Sequence, residues 1–348
     1  MRQQPRGSKS NPPQTVTSNS DARWLASAAA LAERARPASH PNPAVGAVLV
    51  RHGIVVGRGW TQAGGRPHAD AVALGQAGEA AHGAALYVTL EPCAHVSSRG
   101  PACADLVVQA APARVIVGQQ DPDPRTAGQG IARLRNAGIE VTLADDPACR
   151  AGLLGHILRT TDDRPEVTLK LAMSLDGCIA TAAGESKWIT GPAARAHTHR
   201  ERARADAILV GGGTLRADTP SLDVRLPGLE QRSPRRIVLT RGEAPHGWQA
   251  IPSPAAIRDL ENVRHLFVEG GAITASAFLQ AGLVDRLLIY RAPILIGGGK
   301  PAIGDIGLAA LQDAFTAGWH FHDRRRLGSD TLEVYTRGHN EQARSERI

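Results

Sequence analysis

Apolar and polar positions fall into short blocks whose spacing changes along the chain. An Ala-rich stretch ending near Arg36 has helical spacing, and Asp21 stands where an N-cap would. HPNPAVGAVLV follows, in which prolines stop the helix and the apolar run Val45 to Val50 predicts a strand. A second short run, Ile54 to Val56, comes across His52 and Gly53, which suits a hairpin turn. The pattern then alternates. It predicts helices at about His68 to Ala77, Cys103 to Ala110 and Gly130 to Ala137, between strands at Ala85 to Thr89, Arg114 to Gly118 and Glu140 to Leu143. Such alternation describes an α/β layered domain that can close near residue 147.

The segment from Pro147 to Pro165 reads as a helix and a short linker. Strand signals resume at Val167 to Ala172, Ala207 to Val210, Arg236 to Leu239, His265 to Val268 and Arg286 to Pro293. Helical signals at Ala193 to Ala203 and Thr274 to Ala281 lie among them and make a second α/β domain. The first twenty residues are rich in Gln, Ser, Asn and Pro and offer little to bury, so a disordered tail is expected there. The expected organisation is a tail over 1–20, domains over 21–147 and 166–339, a linker over 148–165 and a second tail over 340–348.

Composition narrows the class. A hydrophobic fraction of 42% with 21% charged residues belongs to a soluble globular protein. The formal charge of +7 comes almost wholly from arginine, since the only lysines are Lys9, Lys170, Lys187 and Lys300. Arginine's planar fork suits phosphate, but general surface composition explains the bias equally. Aromatic residues make up 3%, too few for a stacking platform, so nucleic acid is not an expected partner. No apolar run approaches the roughly 20 residues of a membrane span. Four scattered cysteines form no disulfide framework, and a reducing, cytoplasmic setting is expected.

His68, Cys93 and Cys103 stand where two predicted helices begin beside a strand end. One imidazole and two thiolates suit catalytic zinc, leaving a fourth position for water that zinc makes acidic. A nearby carboxylate would shuttle the proton. Taken singly, each has an ordinary explanation, a capping histidine or an inert buried thiol. PHAD, TLEPCAH and the later PAC together favour the metal.

HPNPAVGAVLV, GRPHADAVAL and TLEPCAHVSSRGPACADL resemble the zinc deaminases of the cytidine deaminase superfamily, and more narrowly the pyrimidine deaminases of riboflavin biosynthesis, over about 21 to 147. The resemblance implies an α/β/α domain, Zn2+ on His68, Cys93 and Cys103, and Asp70 as proton shuttle in place of the family's glutamate. It implies substrate contacts at Asn42, His95 and Arg99, the last two with a solvated loop as the alternative. The loop between the cysteines has nine residues, one more than usual. Drawing the carboxylate back by one methylene shifts it by about 1 Å, enough to cost on the order of a hundredfold in rate; a water relay or small backbone shift would restore contact.

KLAMSLDGCIAT, GESKWITGPAAR, VGGGTLRADTPSLDVR and VEGGAITASAFLQAGLVDRLLIYRAPILIGGG resemble the reductase domain fused to such deaminases, over about 166 to 300. A dihydrofolate-reductase-like α/β fold and NADPH follow from that resemblance. It places cofactor contacts at Ala172, Trp188, Thr214 and Asp218 and along Gly271, Ala272, Ile273, Thr274, Ala275, Ser276 and Ala277. EGGAITAS follows a strand and opens a helix, so its free N–H groups suit a phosphate, although close helix packing would also explain the glycines. Substrate contacts fall on Ser186, Arg202, Leu222, Arg225 and Glu269; for Glu269 the alternative is a helix-capping role. Between Leu239 and His265 the chain is short for the family, Thr240 replaces the usual aspartate, and a peripheral element is expected to be missing.

The whole chain is accordingly identified as a member of the bifunctional pyrimidine deaminase–reductase family, using Zn2+ and NADPH on a phosphorylated pyrimidine and assembling as a homo-oligomer. Two alternatives remain at this point. One is a reductase whose deaminase-like half is a zinc-stabilised scaffold; the other is an RNA-binding deaminase-like module.

Overall fold

The computed structural model describes residues 18–338 except 96 and 317; the expected tail residues 1–17 and 340–348 lie outside them. The chain divides into two compact units between Leu154 and Gly155.

Unit 1 begins with helix α1 (Asn19–Ala32). Its N-cap is Ser18, not Asp21: Ser18 accepts from the Asp21 N–H, and the Asp21 side chain accepts from the Ser18 N–H, a reciprocal capping box. Asp21 also accepts from Tyr87 and Arg114, which explains its burial. Strands β1 (Gly46–Arg51) and β2 (Ile54–Trp60) form the expected hairpin, longer in its second arm than the apolar run suggested. Helix α2 (Ala69–Ala77), β3 (Ala85–Leu90), α3 (Cys103–Ala110), β4 (Arg114–Gln119), α4 (Gln129–Asn136) and β5 (Glu140–Leu143) follow the predicted alternation closely. Strand order is β2-β1-β3-β4-β5, with β3, β4 and β5 parallel.

Five of the six residues of β1 are buried because helices cover both faces of the sheet. A Cβ on Gly46 would meet the Ala28 carbonyl of α1 at 1.9 Å. On the opposite face, Cβ atoms on Gly57 and Gly59 would meet Ala73 and Ala69 carbonyls of α2 at 2.2 and 2.4 Å. Glycine lets α2 lie directly on β2, which fixes the height of the helix start that carries His68 and Asp70.

Helix α5 (Pro147–Thr161) runs through the point of division. Unit 2 then contains β6 (Glu166–Met173), β7 (Cys178–Ala180), α6 (Pro192–Arg202), β8 (Ala207–Gly211), α7 (Gly212–Asp218), β9 (Arg235–Leu239), β10 (Trp248–Ile251), β11 (His265–Val268), α8 (Ala272–Gln280), β12 (Arg286–Arg291), β13 (Lys300–Pro301), α9 (Leu311–Thr316), β14 (Trp319–Leu327) and β15 (Asp330–Arg337). The main sheet has the order β10-β9-β8-β11-β6-β12-β15-β14, parallel from β10 to β12 and closed by an antiparallel hairpin. Ala194 of α6 packs with Ile208, Phe267 and Tyr290 on one face, and Phe278 of α8 with Leu169, Leu209 and Val268 on the other.

The short stretch after Leu239 is not empty of structure: β10 pairs parallel to β9 and a 3-10 turn over Pro254–Asp259 follows. The hairpin β14–β15 was not among the expected elements either. It is an edge feature whose outer strand carries Arg324, Arg325 and Arg326, so no continuous apolar run announces it.

Candidate active sites

In unit 1 the expected metal ligands converge. His68 is the N-cap of α2, Cys93 follows β3 and Cys103 is the first residue of α3. Their ligand atoms lie within 4.8 Å of one another, and these three form the metal-ligating cluster found among the described residues. His68 Nδ1 is 3.2 Å from Cys103 Sγ and 3.6 Å from Cys93 Sγ. Tetrahedral zinc with Zn–N of about 2.05 Å and Zn–S of about 2.3 Å requires N···S separations of about 3.6 Å, so the set fits a single zinc ion.

Surrounding groups hold this set in place. The Cys103 N–H donates to Cys93 Sγ at 3.3 Å. The Cys103 thiol, His68 and that N–H together hold Cys93 well below the usual thiol range, and the bond to Cys93 pushes Cys103 up. Asn42 Nδ2 donates to the Gly65 carbonyl at 2.7 Å and lies 2.8 Å from His68 Nε2, the ring nitrogen away from the sulfurs. Asp70 is 4% exposed, and its Oδ1 has no hydrogen-bond partner. Burial pushes its carboxyl up to about 6, with the neighbouring Cys93 acting in the same direction. A buried carboxylate oxygen without a partner is costly unless a reaction or ligand uses it.

His95 and Arg99 lie outside this cluster. His95 Nδ1 is 3.4 Å from Thr126 Oγ1, and Arg99 donates to the Gly64 carbonyl at 2.6 Å across an exposed loop. Glu91, the residue before Pro-Cys in TLEPCAH, is 3% exposed and accepts backbone N–H groups from Asp121, Gly128 and Ile131. It thereby pins the loop that carries Thr126; a carboxylate directly before Pro-Cys was the available signal.

In unit 2 a cavity of about 460 Å³ opens over the C-terminal half of β6 and the end of β11, the edge at which parallel sheets take ligands. Eight expected residues line it: Ala172, Ser186, Trp188, Arg202, Asp218, Leu222, Arg225 and Glu269. Arg202 donates twice to Glu269, at 2.6 and 3.1 Å, and Lys170 Nζ lies 3.7 Å from the same carboxylate. Burial would raise the Glu269 carboxyl, but Lys170 and Arg202 outweigh it and hold the group below its usual range. Glu269 makes no capping bond to α8, whose N-cap is Gly271. Lys187 pairs with Asp218 at 3.5 Å, and the Arg195 guanidinium sits 4.9 Å over the Trp188 ring.

The rest of the expected cofactor set is at the start of α8. Ala272, Ile273 and Thr274 occupy the first helical positions, whose N–H groups have no intrahelical acceptor. The Ala275 N–H is taken by the Gly271 carbonyl, Ala275 is fully buried, Ser276 Oγ accepts from Gly304, and Ala277 lies one residue further along the helix. A Cβ on Gly271 would stand 3.7 Å from Thr214 Oγ1, so Thr214 lies next to the α8 start. Lys170 and His199 also line the cavity and were not anticipated. Lys170 is one of four lysines and lies within a strand, and His199 is one turn before Arg202 on the same helix; these were the available signals.

Residues 18–119 match the cytidine and deoxycytidylate deaminase zinc-binding region, and residues 165–332 match the RibD C-terminal domain. The chain therefore joins a zinc-type deaminase domain to a reductase domain. It is 37% identical to the riboflavin biosynthesis protein RibD of Aquifex aeolicus, over 84% of this chain and 92% of that protein. It is 39% identical to RibD of Mycobacterium tuberculosis, over 84% and 91%. Among solved structures, Acinetobacter baumannii RibD matches with a TM-score of 0.79 at 34% identity, covering 91% of this chain and 98% of that one. The diaminohydroxyphosphoribosylaminopyrimidine deaminase/5-amino-6-(5-phosphoribosylamino)uracil reductase of Thermotoga maritima also matches at 0.79, with 28% identity over 91% and 99%. The chain belongs to the RibD family of bifunctional deaminase–reductases of riboflavin biosynthesis.

Proposed function

We propose that unit 1 removes the exocyclic amine of 2,5-diamino-6-(5-phosphoribosylamino)pyrimidin-4-one as ammonia. Unit 2 then reduces the ribosyl group with NADPH to give 5-amino-6-(5-phosphoribitylamino)uracil. The observation that carries the first step is the convergence of His68, Cys93 and Cys103 beside a buried carboxylate oxygen without a partner. Zinc on these three ligands would supply an acidified water. Asp70 Oδ1 would carry the proton that hydrolysis delivers to the leaving amine. Asn42, beside the Gly65 carbonyl and the His68 ring, contacts the pyrimidine, and His95 and Arg99 are further substrate contacts.

In unit 2, NADPH would supply a hydride and lie along Ala172, Trp188, Thr214, Asp218 and the turn from Gly271 to Ala277. The free N–H groups at the start of α8 would hold its phosphate. Glu269, held ionised between Lys170 and Arg202, orients the sugar hydroxyls, with the Lys170 ammonium 3.7 Å away. Ser186, Leu222, Arg202 and Arg225 hold the phosphoribosyl arm, the arginines at its phosphate.

No helix among the described residues is long and apolar enough to cross a membrane. Two thiolate ligands favour a reducing compartment, which supports placement in the cytoplasm. Exposed Leu295, Leu311 and Phe315 support a homo-oligomer, which light scattering checks.

The test supplies the diamino substrate without NADPH and measures ammonia. Ammonia release, followed by NADPH oxidation when the cofactor is added, is the expected result. Zinc-loaded protein that releases no ammonia yet oxidises NADPH on the deaminated substrate would leave unit 1 a scaffold, a reading favoured by the short arm of Asp70.

A further inference from the structure

His199 lines the cavity of unit 2 and also an adjoining hollow of about 410 Å³ bordered by Trp188, Arg195, Arg225 and Leu226. Its ring reaches from α6 to the strap Thr219–Arg225, which carries Leu222 and Arg225. His199 Nδ1 lies 3.3 Å from the Arg225 backbone N–H and 3.1 Å from the Asp223 carbonyl oxygen. A ring with a bare Nδ1 accepts from Arg225, and a ring with Nδ1–H donates to Asp223, so each tautomer ties the ring to the strap. Burial and the neighbouring Arg202 and Arg225 hold the ring below its usual pKa, which favours the neutral form at pH 7.

The strap needs such ties. Thr219 and Leu222 both have left-handed backbone, at φ 39° and 53°, and neither is glycine. Backbone of this kind persists where surrounding bonds hold it. Leu222 is buried, the Val224 N–H donates to Ser233 Oγ at 3.0 Å, and Arg202 Nη1 donates to the Asp223 carbonyl at 3.0 Å. These bonds hold the strap up to Val224, and His199 reaches its end at the Arg225 backbone N–H. The Arg225 side chain is 61% exposed and pairs with Asp223 at 3.4 Å, so its backbone anchor governs where its guanidinium can go.

We propose that His199 is a positioning residue for the phosphate end of the reductase substrate, holding the strap so that Arg225 meets the phosphate. This rests on the reading of unit 2 as the phosphoribosyl reductase. Without the tie, the guanidinium samples more positions and the ordering cost falls on binding. The effect belongs to KM for a phosphorylated substrate.

The test measures NADPH oxidation by the full chain with 5-amino-6-(5-phosphoribosylamino)uracil and with its analogue lacking the phosphate. His199→Ala is expected to raise KM for the phosphorylated substrate about fivefold to tenfold, the worth of one hydrogen bond, with kcat little changed. The dephosphorylated analogue is expected to give native and variant enzymes the same KM. An asparagine amide reaches the place of Nδ1 and a glutamine amide that of Nε2, so His199→Asn restores most of the loss and His199→Gln does not. An unchanged KM in His199→Ala, an equal loss on the analogue, or equal rescue by Gln would overturn the proposal. Arg225→Ala is run in parallel: if it leaves KM unchanged, the phosphate-site reading of unit 2 fails, whereas a normal loss there beside a silent His199→Ala sinks this inference alone.

Discussion

Replacing Arg225 by Ala separates binding from folding in a way that replacing Arg202 cannot. A guanidinium has five N–H donors. Arg202 uses Nε and Nη2 on Glu269 and Nη1 on the Asp223 carbonyl, so most of its bonding holds the protein together. Arg225 is 61% exposed and makes one 3.4 Å contact with Asp223, which has Ser221 Oγ as a second partner at 2.7 Å. Charge-assisted bonds to phosphate are worth about 1.5–3 kcal/mol. Exposure screens them, and about 1–2 kcal/mol is a fairer figure here, or about 5- to 30-fold in KM. Stability should change by less than about 0.5 kcal/mol because nothing buried loses a partner. Arg202→Ala instead strands Glu269 beside Lys170 and should cost about 3–5 kcal/mol of folding stability. The assay is steady-state NADPH oxidation with a thermal melt of each variant. An unchanged KM in Arg225→Ala, or a melt lowered as far as that of Arg202→Ala, would refute the division of labour.

Purified protein should carry one zinc per chain; metal analysis showing well under half an equivalent, with no recovery on adding zinc, contradicts the ligand assignment. Asp70→Asn should abolish ammonia release and leave zinc content and NADPH oxidation intact, since it removes only the proton-carrying group; ammonia release that persists undiminished means another base does the work. Asp70→Glu should preserve or raise ammonia release unless the pocket has closed around the shorter arm, a loss that a lowered melting temperature would accompany. Gly59→Ala places a Cβ 2.4 Å from the Ala69 carbonyl and should destabilise unit 1 by about 1–3 kcal/mol while lowering its zinc affinity, both read from melts with and without added zinc.

Much of the layout was legible because local rules and global packing agree. Period and punctuation located every helix and strand of unit 1 to within a few residues, and the His-x-Asp and Pro-Cys signals lay at helix starts and a strand end, where side chains converge. Some elements escaped notice: β10 is four residues long, β14 is an exposed edge strand with three successive arginines, and β15 alternates buried and half-buried positions beside it. The cap of α1 was misplaced for a different reason. Asp21 has a capping residue's chemistry, but Tyr87 and Arg114 draw it inward, and Ser18 takes the end of the helix. Residue types and their order along the chain were enough to indicate metal, phosphate and proton-transfer chemistry, because few side chains perform each. Which groups share a wall was a matter of three-dimensional packing. The unpartnered oxygen of Asp70, the pinning of a loop by Glu91, the placement of Lys170 against Glu269 and the reach of His199 to Arg225 all arise between residues distant in sequence, and the strand crossovers and helix packing that join them leave no local trace.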